Sequence, residues 1–257
     1  MNKPFVPRSG GIMSADIAVP QHESEVQFYS QVLSTGESPL WREDLMNNLG
    51  MPVIGLGAES SEYPNLPLQW MPHIQVADIA SSVKKALELG GSEVLHGKDD
   101  DGNSQWAVIL DPNGAAFGLI PVVFEDNIPK IDSNKIDGEA GNIGHISWLE
   151  LTVTNTSKTC DFYQSVIGWN VQKINSEYNM HAEDGNPVAG IKYAEGTNQN
   201  IPAVWMLYLP VGDIAESLCR VNEQGGNIIK ETVNADGIIT DAVIRDPVGV
   251  NFVLVQG

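Results

Sequence analysis

The amino-acid sequence is a tandem duplication, and this restricts the fold more than any other feature of the chain. At an offset of 135 residues, Pro52 pairs with Pro187, Gly55 with Gly190, Trp70 with Trp205, Val76 with Val211 and Asp78-Ile79 with Asp213-Ile214. The same offset pairs Gly90-Gly91 with Gly225-Gly226, Asp111-Pro112 with Asp246-Pro247, Gly114 with Gly249 and Phe117 with Phe252. Nearer the start of each half the offset is 134, pairing Val19 with Val153 and Phe28-Tyr29 with Phe162-Tyr163. A period this long is a repeated domain, since solenoid units run to only about 20–50 residues. The expected organisation is an N-terminal domain over 12–124, a linker over 125–144 rich in Asp, Asn, Gly and Lys, and a C-terminal domain over 145–257.

A weaker repeat lies inside each half. In the second half, Ile146–Val153 alternates as a half-buried strand, and Ser157–Ile167 places Cys160, Phe162-Tyr163 and Val166-Ile167 at helical spacing. Strand-like stretches follow at Val171–Ile174, Tyr178–Ala182 and Val188–Tyr193. The order then recurs: strand Val204–Val211, helix Asp213–Gln224, and strands near Ile228, over Ile238–Arg245 and over Val250–Val255. Between the last two, Asp246-Pro247-Val248-Gly249 reads as a type I turn. Each half is therefore expected to be an α+β domain of two βαβββ modules, with helices on one face of a curved, mostly antiparallel sheet and the other face free to line a cavity.

Phe-Tyr in the first helix, Gly-Gly after the second and Asp-Pro-x-Gly before the last strand, in that order, resemble the vicinal oxygen chelate superfamily, which includes glyoxalase I, bleomycin-resistance proteins and extradiol dioxygenases. The likeness is to its tandem glyoxalase-like branch and runs from SWLEL through DFYQSVIGW, EDGNPVAGI, VWMLYLPVGDI and QGG to DPVGVNFVLVQ. The N-terminal half departs from it at Ser34-Thr35, where the second half has Gly168-Trp169. The resemblance implies half-barrel domains and, in metal-dependent members, one ligand from each of four strands. Those positions correspond to Ser14, Met71, Gly55 and Gly118 in the first half, and to Trp148, Met206, Gly190 and Val253 in the second. None keeps a ligand of the family type, and a divalent ion needs oxygen or imidazole donors there. His22, His73, His96, His145 and His181 show no HxH or HExxH spacing. No cofactor is therefore expected, and a rebuilt divalent-metal site is the less favoured alternative.

The period of two along a strand selects the residues beside the old ligand positions. In the second half these are Trp148, Glu150 and Thr152, then Met206 and Tyr208; in the first, Ser14, Asp16 and Ala18, then Met71, His73 and Gln75. Trp148, Thr152, Met206, Asp16 and His73 are the expected ligand-binding residues. Glu150 with Tyr208, or Asp16 with His73, is the expected pair for proton transfer, if there is catalysis. Asp16 stands in the place of Glu150 and His73 in that of Tyr208, so each cavity is expected to hold one carboxylate and one polar-tipped ring. Trp169 and Trp205 have the phase of core residues. A stacking indole with an acid suits a flat or cationic organic molecule.

Charge narrows the partners. Lys and Arg number 14 against 33 Asp and Glu, a net −19, which opposes binding to nucleic acid or to an anionic membrane. The longest nearly apolar runs, Gly114 to Phe124 and Ile201 to Val211, fall short of the roughly 18 residues of a membrane helix, and no secretory leader is read. Cys160 and Cys219 have no metal or redox spacing and are expected as buried small hydrophobes in a reducing, cytoplasmic setting. The leading expectation is a metal-free protein, monomer or homodimer, that binds a small organic molecule. The alternative is a superfamily enzyme of lyase, hydroxylase or dioxygenase type acting on a small carbonyl or hydroxylated substrate. A metal-dependent enzyme and an interaction module with closed cavities are the remaining readings.

Overall fold

The computed structural model describes residues 7–34, 41–42, 45–48, 51–123 and 145–257. The linker expected over 125–144 lies outside them. The first half runs β1 (Ile12–Val19), α1 (His22–Leu33), β2 (Trp41–Arg42), β3 (Leu45–Asn48), β4 (Met51–Ala58), β5 (Met71–Val76), α2 (Ile79–Glu88), β6 (Ser92–Lys98), β7 (Ser104–Leu110) and β8 (Ala116–Pro121). The second half repeats the order: β9 (Trp148–Val153), α3 (Thr156–Ile167), β10 (Asn170–Ile174), β11 (Glu177–His181), β12 (Pro187–Tyr193), β13 (Met206–Val211), α4 (Ile214–Glu223), β14 (Asn227–Val233), β15 (Ile239–Arg245) and β16 (Asn251–Gln256). Each half contributes one eight-stranded sheet, ordered β2-β3-β4-β1-β5-β8-β7-β6 and β10-β11-β12-β9-β13-β16-β15-β14. This is the expected α+β architecture of paired βαβββ modules. Strands β9 and β13 begin at Trp148 and Met206, two residues later than the alternation predicts.

The repeated motifs are local instructions for these elements. Asp78 and Asp213 cap α2 and α4, accepting from the Ser81 and Glu216 amides at 3.0 and 2.9 Å. Asn155 does the same for α3 through the Lys158 amide at 3.1 Å. Gly168 ends α3 with φ +87°, a left-handed cap that favours glycine, whereas α1 ends on Ser34 with φ −96°. In the Asp-Pro turns, Asp111 Oδ1 accepts from the Asn113 and Ala115 amides, and Asp246 Oδ1 from the Val250 amide.

Packing groups these modules across the halves of the chain. The first compact unit joins β5, α2 and β6–β8 to β9, α3 and β10–β12, together with β1 up to Ala15; the second joins the rest of β1, α1 and β2–β4 to β13, α4 and β14–β16. Within each unit the motif residues of one half meet those of the other. In the first, the Tyr163 hydroxyl donates to Asp111 Oδ2 at 3.3 Å and accepts from Trp205 Nε1 at 2.9 Å. Ser82 Oγ donates to the Val166 carbonyl at 2.7 Å, and the ring of Phe162 lies against Gly91. In the second, Tyr29 donates to Asp246 Oδ2 at 2.8 Å, Ser217 Oγ to the Val32 carbonyl at 2.8 Å, and Phe28 lies against Gly226. Trp169 and Trp205 are fully buried, as their phase requires. Cys160 is buried and its thiol is pushed up to about 11 by burial and by Asp161. Cys219 is exposed, contrary to expectation, because on α4 the buried positions are Ile214, Ser217, Leu218 and Val221.

Candidate functional site

In the first unit, β9 sorts its side chains between two faces. Leu149, Leu151 and Val153 are buried in the core, which leaves Trp148, Glu150 and Thr152 on the opposite face. The parallel register of β12 sets Gly190 beside Glu150 and Lys192 beside Thr152, so both share that face. Antiparallel β11 adds Asn179 opposite Gly190 and, two residues earlier, Glu177. Ala189, Ile191 and Met180, out of phase with these, are fully buried.

Two features define this face. The first is an ion cluster: Lys192 Nζ lies 2.7 Å from Glu150 Oε2 and 3.3 Å from Glu177 Oε1. Burial works to lower the Lys192 pKa, but the hydrogen bond and charge of Glu150, followed by those of Glu177, outweigh it and the net shift is upward. The second is an indole over a glycine. A Cβ placed on Gly190 would meet Trp148 Cζ2 at 3.2 Å and Nε1 at 3.3 Å, so the ring occupies the space into which a residue-190 side chain would start.

The same substitution by a ring occurs elsewhere in the first unit. His73 on β5 is paired with Gly118 on β8, and its Cδ2 lies 2.6 Å from where a Gly118 Cβ would stand. His73 Nδ1 is hydrogen-bonded to Ser14 Oγ at 2.8 Å. Gly118 and Gly190 are positions from which metal-dependent relatives are expected to supply a carboxylate. Here they have no side chain, and rings cover them. The residues present therefore do not fit the superfamily's divalent ion, and among the described residues no three His, Cys, Asp or Glu side chains come together to hold one.

The remaining expected residues fall as follows. Trp148, Glu150 and Thr152 lie together on the first unit's face, with Thr152 only 2% exposed, and His73 is in the same unit on β5. Asp16, Met206 and Tyr208 belong to the second unit; Asp16 is exposed, Met206 is 3% exposed, and Tyr208 is half-buried opposite Val253. Glu150 is not the solitary acid expected, because Lys192 sits on it. Sequence reasoning missed Lys192 and Glu177. The signal lay two residues beyond Gly190, the old ligand position on β12, where a period of two already places Lys192 on the inner face. In the second unit an open groove of about 320 Å³ is lined by Ala18, Glu59, Ser60, Tyr63 and Leu66.

Paired βαβββ modules in two duplicated halves, each half building one eight-stranded sheet of the same strand order, define a tandem protein of the vicinal oxygen chelate fold. Residues 14–120 match the glyoxalase-like domain, and residues 142–254 match the glyoxalase/bleomycin resistance protein/dioxygenase superfamily. The chain belongs to that superfamily. Among relatives, CFP32 of Mycobacterium bovis, whose name carries the word glyoxylase, is 24% identical over 73% of this chain and 69% of its own length. The anthracycline biosynthesis protein DauV of Streptomyces sp. strain C5 is 26% identical over 74% of this chain and 66% of its own. The chain thus spans about two thirds of the length of these relatives. In fold it is similar to 2,2',3-trihydroxybiphenyl 1,2-dioxygenase of Sphingomonas wittichii RW1, with TM-score 0.57 and 15% identity over 97% of this chain and 91% of that one. The 2,3-dioxygenase LapB of Pseudomonas sp. KL28 gives TM-score 0.55 and 12% identity over 98% and 94%.

Proposed function

We propose that this chain binds a flat organic molecule on the β9–β12 face of its first unit, without the superfamily's metal. The observation that carries this reading is the indole of Trp148 lying over Gly190 beside the Glu150–Lys192–Glu177 cluster. An indole offers a stacking surface, and two carboxylates to one ammonium leave a local excess of negative charge. The favoured ligand is planar and cationic, and a net charge of −19 draws such a molecule in. The name of DauV supplies a probe class, an anthracycline bearing an amino group. The duplicated sequence domains, 12–124 and 145–257, with a linker over 125–144, act as one chain, monomeric or as a homodimer. A cytoplasmic setting is supported by two free cysteines.

Tryptophan-fluorescence titration with that anthracycline tests the reading. Saturable binding is expected, weakened about tenfold or more, some 1.4 kcal/mol, in Trp148→Ala and reduced in Glu150→Gln. Binding that is absent, or unaffected by both substitutions, overturns it. The hydrogen bond between His73 and Ser14 favours a second reading, a metal-free enzyme that moves a proton on a small carbonyl or hydroxylated substrate. That reading requires turnover that disappears in His73→Gln or Glu150→Gln while the fold is kept.

A further inference from the structure

The second unit holds a buried acid that the proposed site does not use. Glu25, in the first turn of α1, is 1% exposed, and among the described residues no N–H or O–H group donates to either of its carboxyl oxygens. Its neighbour is another carboxyl, Asp246, whose Oδ1 already accepts from the Val250 amide at 2.7 Å and whose Oδ2 accepts from the Tyr29 hydroxyl at 2.8 Å.

The duplication provides an internal control. At the offset of 134, Glu25 corresponds to Thr159. Thr159 Oγ1 donates to the Asn155 carbonyl at 2.9 Å and accepts from Asn113 Nδ2 at 3.1 Å, and the same Nδ2 donates to Asp111 Oδ2 at 2.9 Å. The first unit thus joins its helix to its Asp-Pro turn through an amide. In the second unit, residue 248 is valine where 113 is asparagine, so the bridging amide is gone and a carboxyl stands in place of the hydroxyl. An ionised Glu25 would be a buried charge facing a second one with no donor to satisfy it. A protonated Glu25 supplies the missing donor itself.

We propose that Glu25 and Asp246 share one proton, forming an acid pair that latches α1 onto the Asp246-Pro247 turn and releases it when the proton leaves. The other charged groups around α1 are engaged elsewhere or face away. On α4, Arg220 bonds Glu216 and the Gln31 and Ser34 carbonyls. Glu223 on the same helix is exposed; β4 and β16 carry no titratable side chain. On β15, Arg245 bonds Asn251. Tyr208 on β13 is out of phase with the buried Leu207 and Leu209. His22, at the start of α1, bonds the Leu56 carbonyl. Burial, then the charge of Asp246 and its hydrogen bond, push the Glu25 carboxyl up to about 8 from 4.5. Between those values the folded chain holds a proton that the unfolded chain has lost, so this group's contribution is fully present below 4.5 and is lost as pH rises towards 8.

Two measurements on the full chain test the latch. Isotope-edited infrared spectra should show a protonated-carboxyl C=O stretch at about pH 7 that vanishes at about pH 9.5 and is absent in Glu25→Gln. Melting temperature should fall in the parent from about pH 5 to 8, while Glu25→Gln, which keeps a donor towards Asp246, melts higher at about pH 8 and loses that part of the slope. Glu25→Thr, the residue of the sister module, serves in the same way if the glutamine variant folds poorly. Absence of the protonated band in the parent at about pH 7, or an unchanged pH slope in the variants, overturns the proposal.

Discussion

The Tyr163 hydroxyl is held at both ends, by Trp205 Nε1 and by Asp111, in a fully buried cluster of rings. Tyr163→Phe removes one oxygen and strands two polar groups, because the Trp205 N–H loses its acceptor and Asp111 a donor. The expected cost is about 1–3 kcal/mol, read as a lower urea midpoint at constant m-value. Burial and the neighbouring Asp111 raise the Tyr163 pKa above its ordinary value of 10.0, so the phenol stays neutral in the folded chain while the unfolded chain's ionises, and the loss should be constant below about pH 10 and shrink above it. Residue-scale features of this kind were half legible. Tyr and Asp recur in both halves, which marked them as important. What the repeat did not reveal was Lys192, since its pairing with Glu150 depends on the β9–β12 register and not on anything adjacent in the chain.

At the scale of elements, the Gly-Gly pairs explain how α2 docks on α3 and α1 on α4. A Cβ on Gly226 would sit 2.7 Å from Phe28 Cε2 and 3.1 Å from the Arg245 carbonyl oxygen; on Gly91 it would sit 2.8 Å from the Leu110 oxygen and 3.0 Å from that of Ala86. Backbone oxygens cannot step aside as a flexible side-chain end can, so Gly91→Ala should destabilise by about 1–3 kcal/mol by displacing the α2 exit from β7. Ser82→Ala and Ser217→Ala each remove a buried bond to the last turn of the partner helix, to Val166 and Val32 respectively. Each should cost about 1 kcal/mol, and the two should add in the double variant because they lie in separate units, which equilibrium denaturation of all three proteins measures. Helices, strands and caps were legible because period and capping chemistry are local. Cys219 was misread because α4 buries Leu218 and Val221, and its apolar stripe leaves position 219 outside.

At the scale of the whole molecule, the duplication stated that there are two equivalent halves but not which half each motif addresses. Tyr29 had two equivalent partners on offer, Asp111 in its own half and Asp246 in the other, and a repeated sequence is indifferent between them. The structure selects Asp246 for Tyr29 and Asp111 for Tyr163, so each packing unit takes one module from each half. This bears on whether a half can fold alone. A fragment of residues 145–257 keeps its sheet order but loses α2 beneath α3 and α1 beneath α4, along with Asp111 and Tyr29, and it exposes Phe162 and Leu218 to water. A second copy of the fragment offers nearly the same surfaces, since Asp246 and Tyr163 stand where Asp111 and Tyr29 stood. Residues 1–124 and 145–257 produced separately should therefore either fail to unfold cooperatively or pair with themselves, and an equimolar mixture should recover a one-to-one complex with the near-ultraviolet circular dichroism of the intact chain. Light scattering coupled to gel filtration reads the stoichiometry. If either fragment alone is a monomer with a cooperative thermal transition, the packing across halves is dispensable, and the Tyr–Asp and Ser–carbonyl bonds that join them contribute far less than their burial implies.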